Sequence, residues 1–332
     1  MTSSTHQADV IIIGAGLSGL LAANAVQQQG KSVMVLDKGT SVGGRLATRR
    51  LGAGLADHGA QFFTVRDPEF QAVVEGWLSA GVVYQWALGW SDGSLQPVSD
   101  DGHPRYAAHG GMNAIARHIA QTVQEVRVNI KVTAVKALVD SYEVLDEGGQ
   151  QYLAKALMMT PPAPQALALL DAGDVRLNAE DRTALEQIRY QPCLTGLFRL
   201  AGDVQLPTPG AIQRRDAPIS WIANNKQKGI SPDETIITVQ ADGDTSAQWW
   251  DDPDERSLNA LRTDLLPWLP EGAVIVEQQL KRWRYSAPVV LHPARYLRAA
   301  DLPPLVFAGD GFMHPRVEGA ALSGLAAAAA LG

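Results

Sequence analysis

The sequence predicts an α/β fold in which the two ends of the chain build a Rossmann-type domain around an inserted α+β domain with a mostly antiparallel sheet. An apolar, β-branched run at residues 10–13 leads into Gly-x-Gly-x-x-Gly at residues 14–19, where the apolar spacing becomes helical. A second apolar run at residues 305–308 ends in Gly-Asp-Gly at residues 309–311 and precedes another helix. Between these ends, short strand-like segments are divided by Gly, Pro, Asp and Asn.

The N-terminal glycine motif is typical of the strand, turn and helix of a dinucleotide-binding βαβ unit. Gly14 permits the turn, Gly16 lets the backbone approach a pyrophosphate, and Gly19 lets the helix lie close to the strand. The N–H groups and the positive end of the helix dipole then face the phosphates. A second strand at residues 32–36 ends at Asp37, where a carboxylate can hold a ribose hydroxyl. This combination favours a nucleotide site over an ordinary glycine turn.

The composition and charge of the chain exclude several classes of protein and partner. The 332 residues are 46% apolar, which suffices for about two domains with a core. The net charge of −7, without a basic block, argues against nucleic acid or an anionic membrane as partner. Cys193 is the only cysteine, which excludes an intramolecular disulfide and a cysteine-rich metal site.

Targeting and membrane segments are not expected. The N-terminal apolar run lacks a basic region before it and is interrupted by glycines, unlike a signal peptide. No run approaches the roughly 20 apolar residues of a spanning helix. We therefore expect a cytoplasmic protein without a metal site.

Two segments after the second strand contain candidate ligand-binding residues. Arg45 follows two glycines and offers a guanidinium fork to a phosphate, although a solvated basic loop is the alternative for this segment alone. Residues 57–63 include a Gly-Ala pair without bulk, so this segment could pass beside a flat ring system. His58 on its own suits a structural hydrogen bond better than a catalytic base.

The middle of the chain predicts an inserted domain. Strands are expected at about residues 193–200, 219–223, 235–241 and 274–283, and helices at about residues 178–189 and 255–269. We expect a discontinuous Rossmann-type domain of residues 1–66, 106–166 and 289–332. Residues 67–105 and 167–288 then form the substrate domain.

The motifs together resemble the FAD fold of the flavin amine oxidase superfamily, which is of the glutathione reductase/p-hydroxybenzoate hydroxylase type. Within it, the sequence is most similar to the renalase-like NAD(P)/FAD-dependent oxidoreductases, particularly bacterial ones. The stretches that carry the resemblance cover nearly the whole chain, at residues 43–45, 57–63, 111–113, 160–165, 220–225, 282–288 and 317–320.

The resemblance implies a non-covalent FAD, because no cysteine lies near the C-terminal flavin motif. It places Asp37 at the adenosine ribose, Val132 at the adenine and Asp310 at the ribityl or pyrophosphate region. A helix entered at Gly319 would direct its positive N-terminus at the flavin N1/O2 edge, where the reduced flavin is anionic. The implied cofactor-binding residues are Gly14, Ala15, Gly16, Ser18, Gly19, Asp37, Lys38, Gly44, Arg45, Gly59, Ala60, Gln61, Val132, Thr160, Pro161, Gly309, Asp310, Glu318, Gly319 and Ala320.

The resemblance also implies a reaction. Renalase-like enzymes oxidise the 2- or 6-dihydro isomers of NAD(P)H by hydride transfer to flavin N5, and O2 reoxidises the flavin to give H2O2. Aromatisation of the dihydropyridine drives this step, so no general base is expected, and the sequence contains no convincing triad, metal cluster or carboxylate pair. The substrate ring is expected among Gln61, Phe62, Trp221, Trp283 and Tyr285, with core packing an equal alternative for each aromatic residue.

Several alternatives remain open from the sequence. Gln240 stands where bacterial relatives often have histidine, so substrate preference or rate could differ. The second hypothesis is an amine oxidase or another dehydrogenase of the same fold; in an amine oxidase Lys281 is the nearest candidate for the lysine that holds a water at flavin N5. The third is a flavin-binding protein without turnover. Arg284 could pair with a substrate phosphate or face solvent.

Overall fold

The computed structural model describes residues 6–94 and 102–331. The chain divides into two units: the first contains Met1–Gly44, Ala116–Arg189 and Pro288–Gly332, and the second contains Arg45–Ile115 and Tyr190–Ala287. Residues 1–5, 95–101 and 332, which the expected domains include, lie outside the described residues.

The strands, numbered in chain order, are β1 (His6–Ile13), β2 (Val33–Leu36), β3 (Thr48–Leu51), β4 (Gly54–Asp57), β5 (Val83–Ala87), β6 (Arg105–Ala108), β7 (Val126–Arg127), β8 (Val132–Ala137), β9 (Tyr142–Asp146), β10 (Gln151–Met159), β11 (Arg189–Ala201), β12 (Ala211–Gln213), β13 (Ile219–Asn224), β14 (Thr235–Ala241), β15 (Val274–Val290), β16 (Leu297–Arg298) and β17 (Leu305–Phe307). The helices are α1 (Leu17–Gln28), α2 (Pro68–Ser79), α3 (Asn113–Ala120), α4 (Ala163–Asp171), α5 (Ala179–Gln187), α6 (Gly243–Gln248), α7 (Asp254–Leu265) and α8 (Arg316–Ala329).

The first unit is built on an eight-stranded sheet with a parallel centre. Its strand order is β16-β17-β10-β1-β2-β7, with β9 paired to β10 and β8 paired to β9. The strand β1 pairs in parallel with β10 and β2, and β10 pairs in parallel with β17. The last four residues of β1 and of β10, and all of β2 and β17, are buried, as at Ile11 and Leu157, which explains the apolar runs in these strands. The predicted Rossmann-type α/β architecture is confirmed.

Helices α1 and α8 pack together within the first unit. A Cβ atom at Gly324 of α8 would lie 2.2 Å from the Ser18 carbonyl oxygen of α1, so the two helices approach closely because glycine stands there. The alanine-rich end of α8 is part of the core, with Ala327 and Ala328 fully buried. Among the described residues, no helix has both the length and the apolar character needed to cross a bilayer.

The second unit contains a five-stranded sheet and two hairpins. The sheet has the order β12-β13-β14-β11-β15, with antiparallel pairing from β12 through β11. The hairpins are β3–β4 and β5–β6. One face of the sheet contributes Phe198 and Ile237 to a core shared with Leu261 of α7. The expected inserted α+β domain with a mostly antiparallel sheet is therefore present.

Some element boundaries differ from those expected. The helix expected over residues 255–269 ends at Leu265 and gives way to a short 3₁₀ turn at Leu266–Trp268, because Pro267 lacks the N–H that continues an α-helix. Strand β15 continues beyond residue 283 to Val290. The second unit includes residues 45–66 and 106–115, which we expected in the Rossmann-type domain. The first unit includes residues 167–189, which we expected in the substrate domain. The expected domain boundaries stay a prediction.

Candidate functional site

The turn after β1 is closed tightly around its glycines. Gly14 has a φ of +107°, and a Cβ atom there would lie 2.3 Å from Thr160 Oγ1. A Cβ atom at Gly19 would lie 2.1 Å from the Gly14 carbonyl oxygen. Thr160 Oγ1 itself donates a hydrogen bond to the Ile13 carbonyl at 2.9 Å. Gly14 and Gly19 are thus required for packing the turn, the helix α1 and the end of β10 together.

Gly16 has a different environment, which suits a ligand. A Cβ atom at Gly16 would meet no atom within 4 Å, and no side chain caps the start of α1. Gly43 N donates to the Ala15 carbonyl at 2.8 Å, so the second glycine pair, including the exposed Gly44, lies against the same turn. Ser18 Oγ is buried without a hydrogen-bond partner among the described residues. An open cradle at an uncapped helix N-terminus fits the diphosphate of FAD.

Asp37 braces this turn from the end of β2. Its Oδ2 accepts from Ala15 N at 2.7 Å and its Oδ1 accepts from Gly39 N at 2.6 Å. Each carboxylate oxygen retains a lone pair, so Asp37 can still accept from a ribose hydroxyl. The next residue, Lys38, is exposed. Ile130 N donates to the Asp37 carbonyl at 2.8 Å, which brings the loop before Val132 to the same place.

The C-terminal motif follows β17 in the same sheet. Gly309 has a φ of +138°, and its N–H donates to Ser323 Oγ of α8 at 2.8 Å. Asp310 is buried. Helix α8 begins at Arg316, so Glu318, Gly319 and Ala320 lie in its first turns rather than at its entry. Gly319 is required there, because a Cβ atom would lie 1.7 Å from the His314 carbonyl oxygen.

The parallel strands bring most of these residues to one edge. Strands β1, β2, β10 and β17 are neighbours in one sheet, and the glycine motif, Asp37, Thr160-Pro161 and Gly309-Asp310 follow their carboxyl ends. Ligands in open α/β sheets bind at that edge. The sequence-predicted residues of the first unit are therefore assembled on one side of its sheet.

In the second unit, a buried ion pair holds the segment at residues 57–63. Lys228 Nζ donates to Asp57 Oδ2 and to the Gln61 carbonyl, each at 2.6 Å, and both charged side chains are completely buried. Asp57 Oδ1 accepts from Thr48 Oγ1 at 2.5 Å and from Met112 N at 2.8 Å. Burial lowers the pKa of Lys228, and the carboxylate of Asp57 opposes that effect. Sequence reasoning did not identify Lys228, which nothing in its own neighbourhood marks as a partner of Asp57.

Amide side chains fix the main chain of the same segment. Gln61 Nε2 donates to the carbonyls of Asp57 at 2.8 Å and Gly59 at 3.1 Å. Gln240 Nε2 also donates to the Gly59 carbonyl at 3.1 Å. The orientation of the Gln61 amide leaves Oε1 as its acceptor, buried and without a partner among the described residues. Gly59, Ala60 and Gln61 thus have a fixed backbone.

His58 projects from this segment onto Trp283 of β15. The two rings stack with centroids 5.3 Å apart, and Trp283 Nε1 donates to the His58 carbonyl at 2.8 Å. Burial, followed by the positive charges of Lys281 and Arg49, lowers the pKa of His58 to about 4. The imidazole is therefore neutral near pH 7 and is not a general acid there.

The four aromatic residues expected around the substrate ring take part in three separate contacts. Phe62 and Trp221 pack together at 5.4 Å between ring centroids, and each also contacts Trp90. Trp283 lies on His58, whereas Tyr285 packs edge-on against Tyr190 at 5.7 Å. Gln61 precedes Phe62 in the segment at residues 57–63.

Arg45 begins the second unit and is held by the end of β15. Its Nη1 donates to the carbonyls of Tyr285 and Ser286, each at 3.2 Å. The guanidinium also lies over the Tyr190 ring, 5.9 Å from its centroid. Part of its hydrogen-bonding capacity is thus already used within the protein.

Two family models and several curated proteins match parts of this chain. A model described as NAD(P)-binding Rossmann-like domain matches residues 12–77, and one described as Flavin containing amine oxidoreductase matches residues 85–332. A Drosophila melanogaster protein named for lysine-specific histone demethylase 1 is 49% identical over 55 residues, 17% of this chain. A Mycobacterium tuberculosis protein named for flavin-containing monoamine oxidase is 39% identical over 62 residues, 19% of this chain. These matches span only 6% and 14% of the two relatives.

Solved structures resemble the whole chain. A redesigned putrescine oxidase has a TM-score of 0.72 at 16% sequence identity, with 99% of each chain covered. Wild-type putrescine oxidase bound to putrescine has a TM-score of 0.70 at 16% identity, covering 98% of this chain and 99% of that one. A protein from Exiguobacterium sp. 255-15 described as a protoporphyrinogen oxidase has a TM-score of 0.70 at 14% identity, with 98% and 97% covered. At these identities the likeness concerns the fold.

Proposed function

The chain belongs to the flavin containing amine oxidoreductase family, whose cofactor is FAD, and we propose that it oxidises 2- or 6-dihydro isomers of NAD(P)H as renalase-like members do. The observation that most supports this reaction is the chemistry of the segment at residues 57–63. Asp57 is the only carboxylate in residues 57–63, and it is bound to Lys228, Thr48 and Met112. The nearby His58 is neutral. Such a segment suits a hydride transfer that needs no general base.

The first unit would hold the adenosine diphosphate part of FAD. Gly16 and Ser18 would receive the diphosphate at the start of α1, and Asp37 would bind the ribose hydroxyls. Asp310, at the end of β17, would bind hydroxyls or water. We propose the other cofactor-binding residues predicted from the sequence as FAD contacts as well. The chemistry supplied by bound FAD would be hydride acceptance at N5, and reoxidation of the reduced flavin by O2 with one further proton would give H2O2.

The second unit would bind and orient the substrate. Phe62 and Trp221 would provide an aromatic wall, and Trp283 and Tyr285 would provide aromatic surface on β15. Gln61 offers a fixed amide oxygen as a hydrogen-bond acceptor. Because the product ring is aromatic, the protein needs to orient the dihydropyridine and exclude water, and it moves no proton.

Oxidation of an amine is the second candidate function. The likeness to putrescine oxidase and to the mycobacterial monoamine oxidase favours it. Lys281, on the same strand as Trp283, is the lysine that such a reaction would use to hold a water. A flavin-binding protein without turnover is the third hypothesis. The cytoplasmic location stays a prediction from the sequence.

An anaerobic titration separates these functions. Purified holoenzyme would be mixed with 2-dihydro-NAD(P), 6-dihydro-NAD(P), ordinary NADH, putrescine or a panel of primary amines, and the flavin absorbance followed. We expect rapid bleaching with one or both misplaced dihydro isomers and none with amines. Bleaching by amines alone would establish the second function, and no bleaching by any donor would favour the third.

A further inference from the structure

Two cationic side chains flank the His58–Trp283 stack in the second unit. In the β3–β4 hairpin, Arg49 is paired with Ala56. The pairing continues past the end of β4, where His58 lies opposite Ala47 and its N–H donates to the Ala47 carbonyl at 3.1 Å. Directly opposed residues of an antiparallel hairpin share a face, and alternate residues along each strand do so too. Arg49 therefore lies on the same face of this hairpin as His58.

Strand β15 supplies the second cation by the same rule. Lys281 and Trp283 are two residues apart on one strand, so their side chains project from one face. Lys281 is two residues from Trp283 along its strand, and Arg49 is two residues from Ala47, which lies opposite His58. Because the Trp283 ring stacks on His58, both cations are neighbours of the same pair of rings. The electrostatics agree with this proximity, because Arg49 contributes to lowering the pKa of Lys281 after burial, and both cations contribute to lowering the pKa of His58.

The positive charge of this pair is not compensated by nearby acids. Within residues 6–94 and 102–331, neither Arg49 nor Lys281 forms a salt bridge or a hydrogen bond through its side chain. Acids on the adjoining elements bind other cations, listed here as pairs: Asp57 with Lys228, Glu234 and Glu277 with Arg199, Asp254 with Arg282 and Asp252 with Arg256. Two unpaired cations side by side are unfavourable unless an anion joins them.

The neighbouring arginines of β15 do not share this arrangement. Arg284 lies on the other face of the strand, with its guanidinium over the Trp250 ring at 4.9 Å. Arg282 donates to the Trp250 and Asp252 carbonyls and pairs with Asp254. The face that carries Trp283 therefore has Lys281 as its available cation.

We propose that Arg49 and Lys281 form a subsite for the phosphate groups of an anionic dinucleotide, beside the His58–Trp283 stack. Arginine presents a fork that matches phosphate oxygens, and lysine adds a compact charge. The inference deepens the proposed function and rests on it for the identity of the ligand as an NAD(P)-type substrate. It also gives a physical basis for rejecting amines, since the same two charges repel a cationic substrate.

The test uses the FAD-loaded enzyme and ADP-ribose, so that the cofactor site is already filled. Isothermal titration calorimetry would compare wild type with Arg49→Gln, Lys281→Gln and the double variant. Because the double variant removes both charge-assisted contacts to the phosphate groups, we expect it to bind at least about tenfold more weakly. Arg50→Gln is the matched control, because Arg50 projects from the opposite face of β3 and should leave binding unchanged. The charge-retaining pair Arg49→Lys with Lys281→Arg should preserve binding.

The outcomes separate this inference from the proposed function. Undetectable binding of ADP-ribose to wild type, or equal affinity in the double variant and the Arg50→Gln control, would overturn the phosphate subsite. Loss of ADP-ribose binding in the double variant, with no reduction of the flavin by any dihydronicotinamide, would support the subsite and contradict the proposed function. The KM for a neutral N-alkyl dihydronicotinamide should be unchanged in the double variant, whereas the KM for the dinucleotide rises about tenfold.

Discussion

Among single residues, Lys228 forms a completely buried salt bridge within the second unit. Its ammonium group is completely buried and lies 2.6 Å from Asp57 Oδ2. It also lies over the Trp86 ring, 4.8 Å from the centroid. The pair binds the segment at residues 57–63 to the loop after β13. Breaking such a pair leaves an isolated buried charge, whereas water solvates each partner of an exposed pair when the pair is broken.

Replacing Lys228 should therefore destabilise the protein strongly. We expect Lys228→Met to lower the free energy of unfolding by about 3–5 kcal/mol, because Asp57 remains buried without its partner. The matched control is Lys226→Met, whose ammonium pairs with the exposed Asp203 and whose loss should cost less than about 1 kcal/mol. Urea denaturation of both variants measures the difference. Equal losses in the two variants would show that the buried pair does not hold this segment.

His58 should make stability depend on pH in mildly acidic solution. Its pKa is about 4 in the folded state and 6.5 in the unfolded reference, so the unfolded chain binds the additional proton between these values. Stability should thus fall as pH decreases from about 6.5 toward 4, by roughly 2–3 kcal/mol. His58→Gln should flatten this part of the profile, which denaturant titrations at pH 7 and 5 would detect. A wild-type profile no steeper than that of the variant would contradict the buried neutral imidazole.

Sequence reasoning identified some site residues and could not identify others for a physical reason. Asp37 was predictable because the second strand of a dinucleotide-binding βαβ unit ends at a nearly constant number of residues after the glycine motif. Lys228 was not, since it lies 171 residues from Asp57 and only the tertiary fold joins them. Arg49 lies in a segment for which an approach to phosphate and a solvated basic loop were both open, and its hairpin partner is known only from the structure.

Among the elements, the contact between α1 and α8 depends on Gly324. A Cβ atom there would lie 2.2 Å from the Ser18 carbonyl oxygen, which is main chain and cannot rotate away. Gly324→Ala should therefore force the helices apart and lower the free energy of unfolding by about 1–3 kcal/mol. Gly76→Ala, in α2, is the control, because a Cβ atom there meets nothing within 4 Å. A stable Gly324→Ala protein would show that the helices are not in close contact.

The start of α1 predicts a contrasting result for Gly16. A Cβ atom at Gly16 occupies open space, so Gly16→Ala should leave the stability of the FAD-free protein nearly unchanged. The same Cβ atom would stand where the diphosphate is proposed to lie, and we expect about tenfold weaker FAD binding. Fluorescence titration of FAD into the apoprotein measures the affinity. Unchanged affinity would place the diphosphate elsewhere.

The elements that sequence patterns predicted best are the buried ones. Strands β1, β2 and β17 carry unbroken apolar runs because both of their faces are covered, and these runs mark their positions in the sequence. The β3 strand reads Thr-Arg-Arg-Leu, which has the composition of a solvated loop. Its pairing with β4 comes from the fold rather than from any local apolar alternation.

At the scale of the whole molecule, the chain passes twice between its two units. It leaves the first unit after Gly44, returns at Ala116, leaves again after Arg189 and returns at Pro288. The discontinuous order was predictable from the strand–glycine motifs at both ends of the sequence. The places where the chain passes from one unit to the other were not, because they depend on contacts between distant segments such as those of Asp57 with Lys228.

The proposed function requires the bound flavin to take a hydride from a misplaced dihydronicotinamide. The most direct measurement is the stoichiometry of an anaerobic reaction between holoenzyme and one equivalent of 6-dihydro-NAD or 2-dihydro-NAD, with absorbance and product both quantified. We expect one NAD⁺ for each flavin bleached with at least one of these isomers, and an oxidised flavin after the same treatment with putrescine. Flavin bleached by putrescine, with both isomers recovered unchanged, would contradict it.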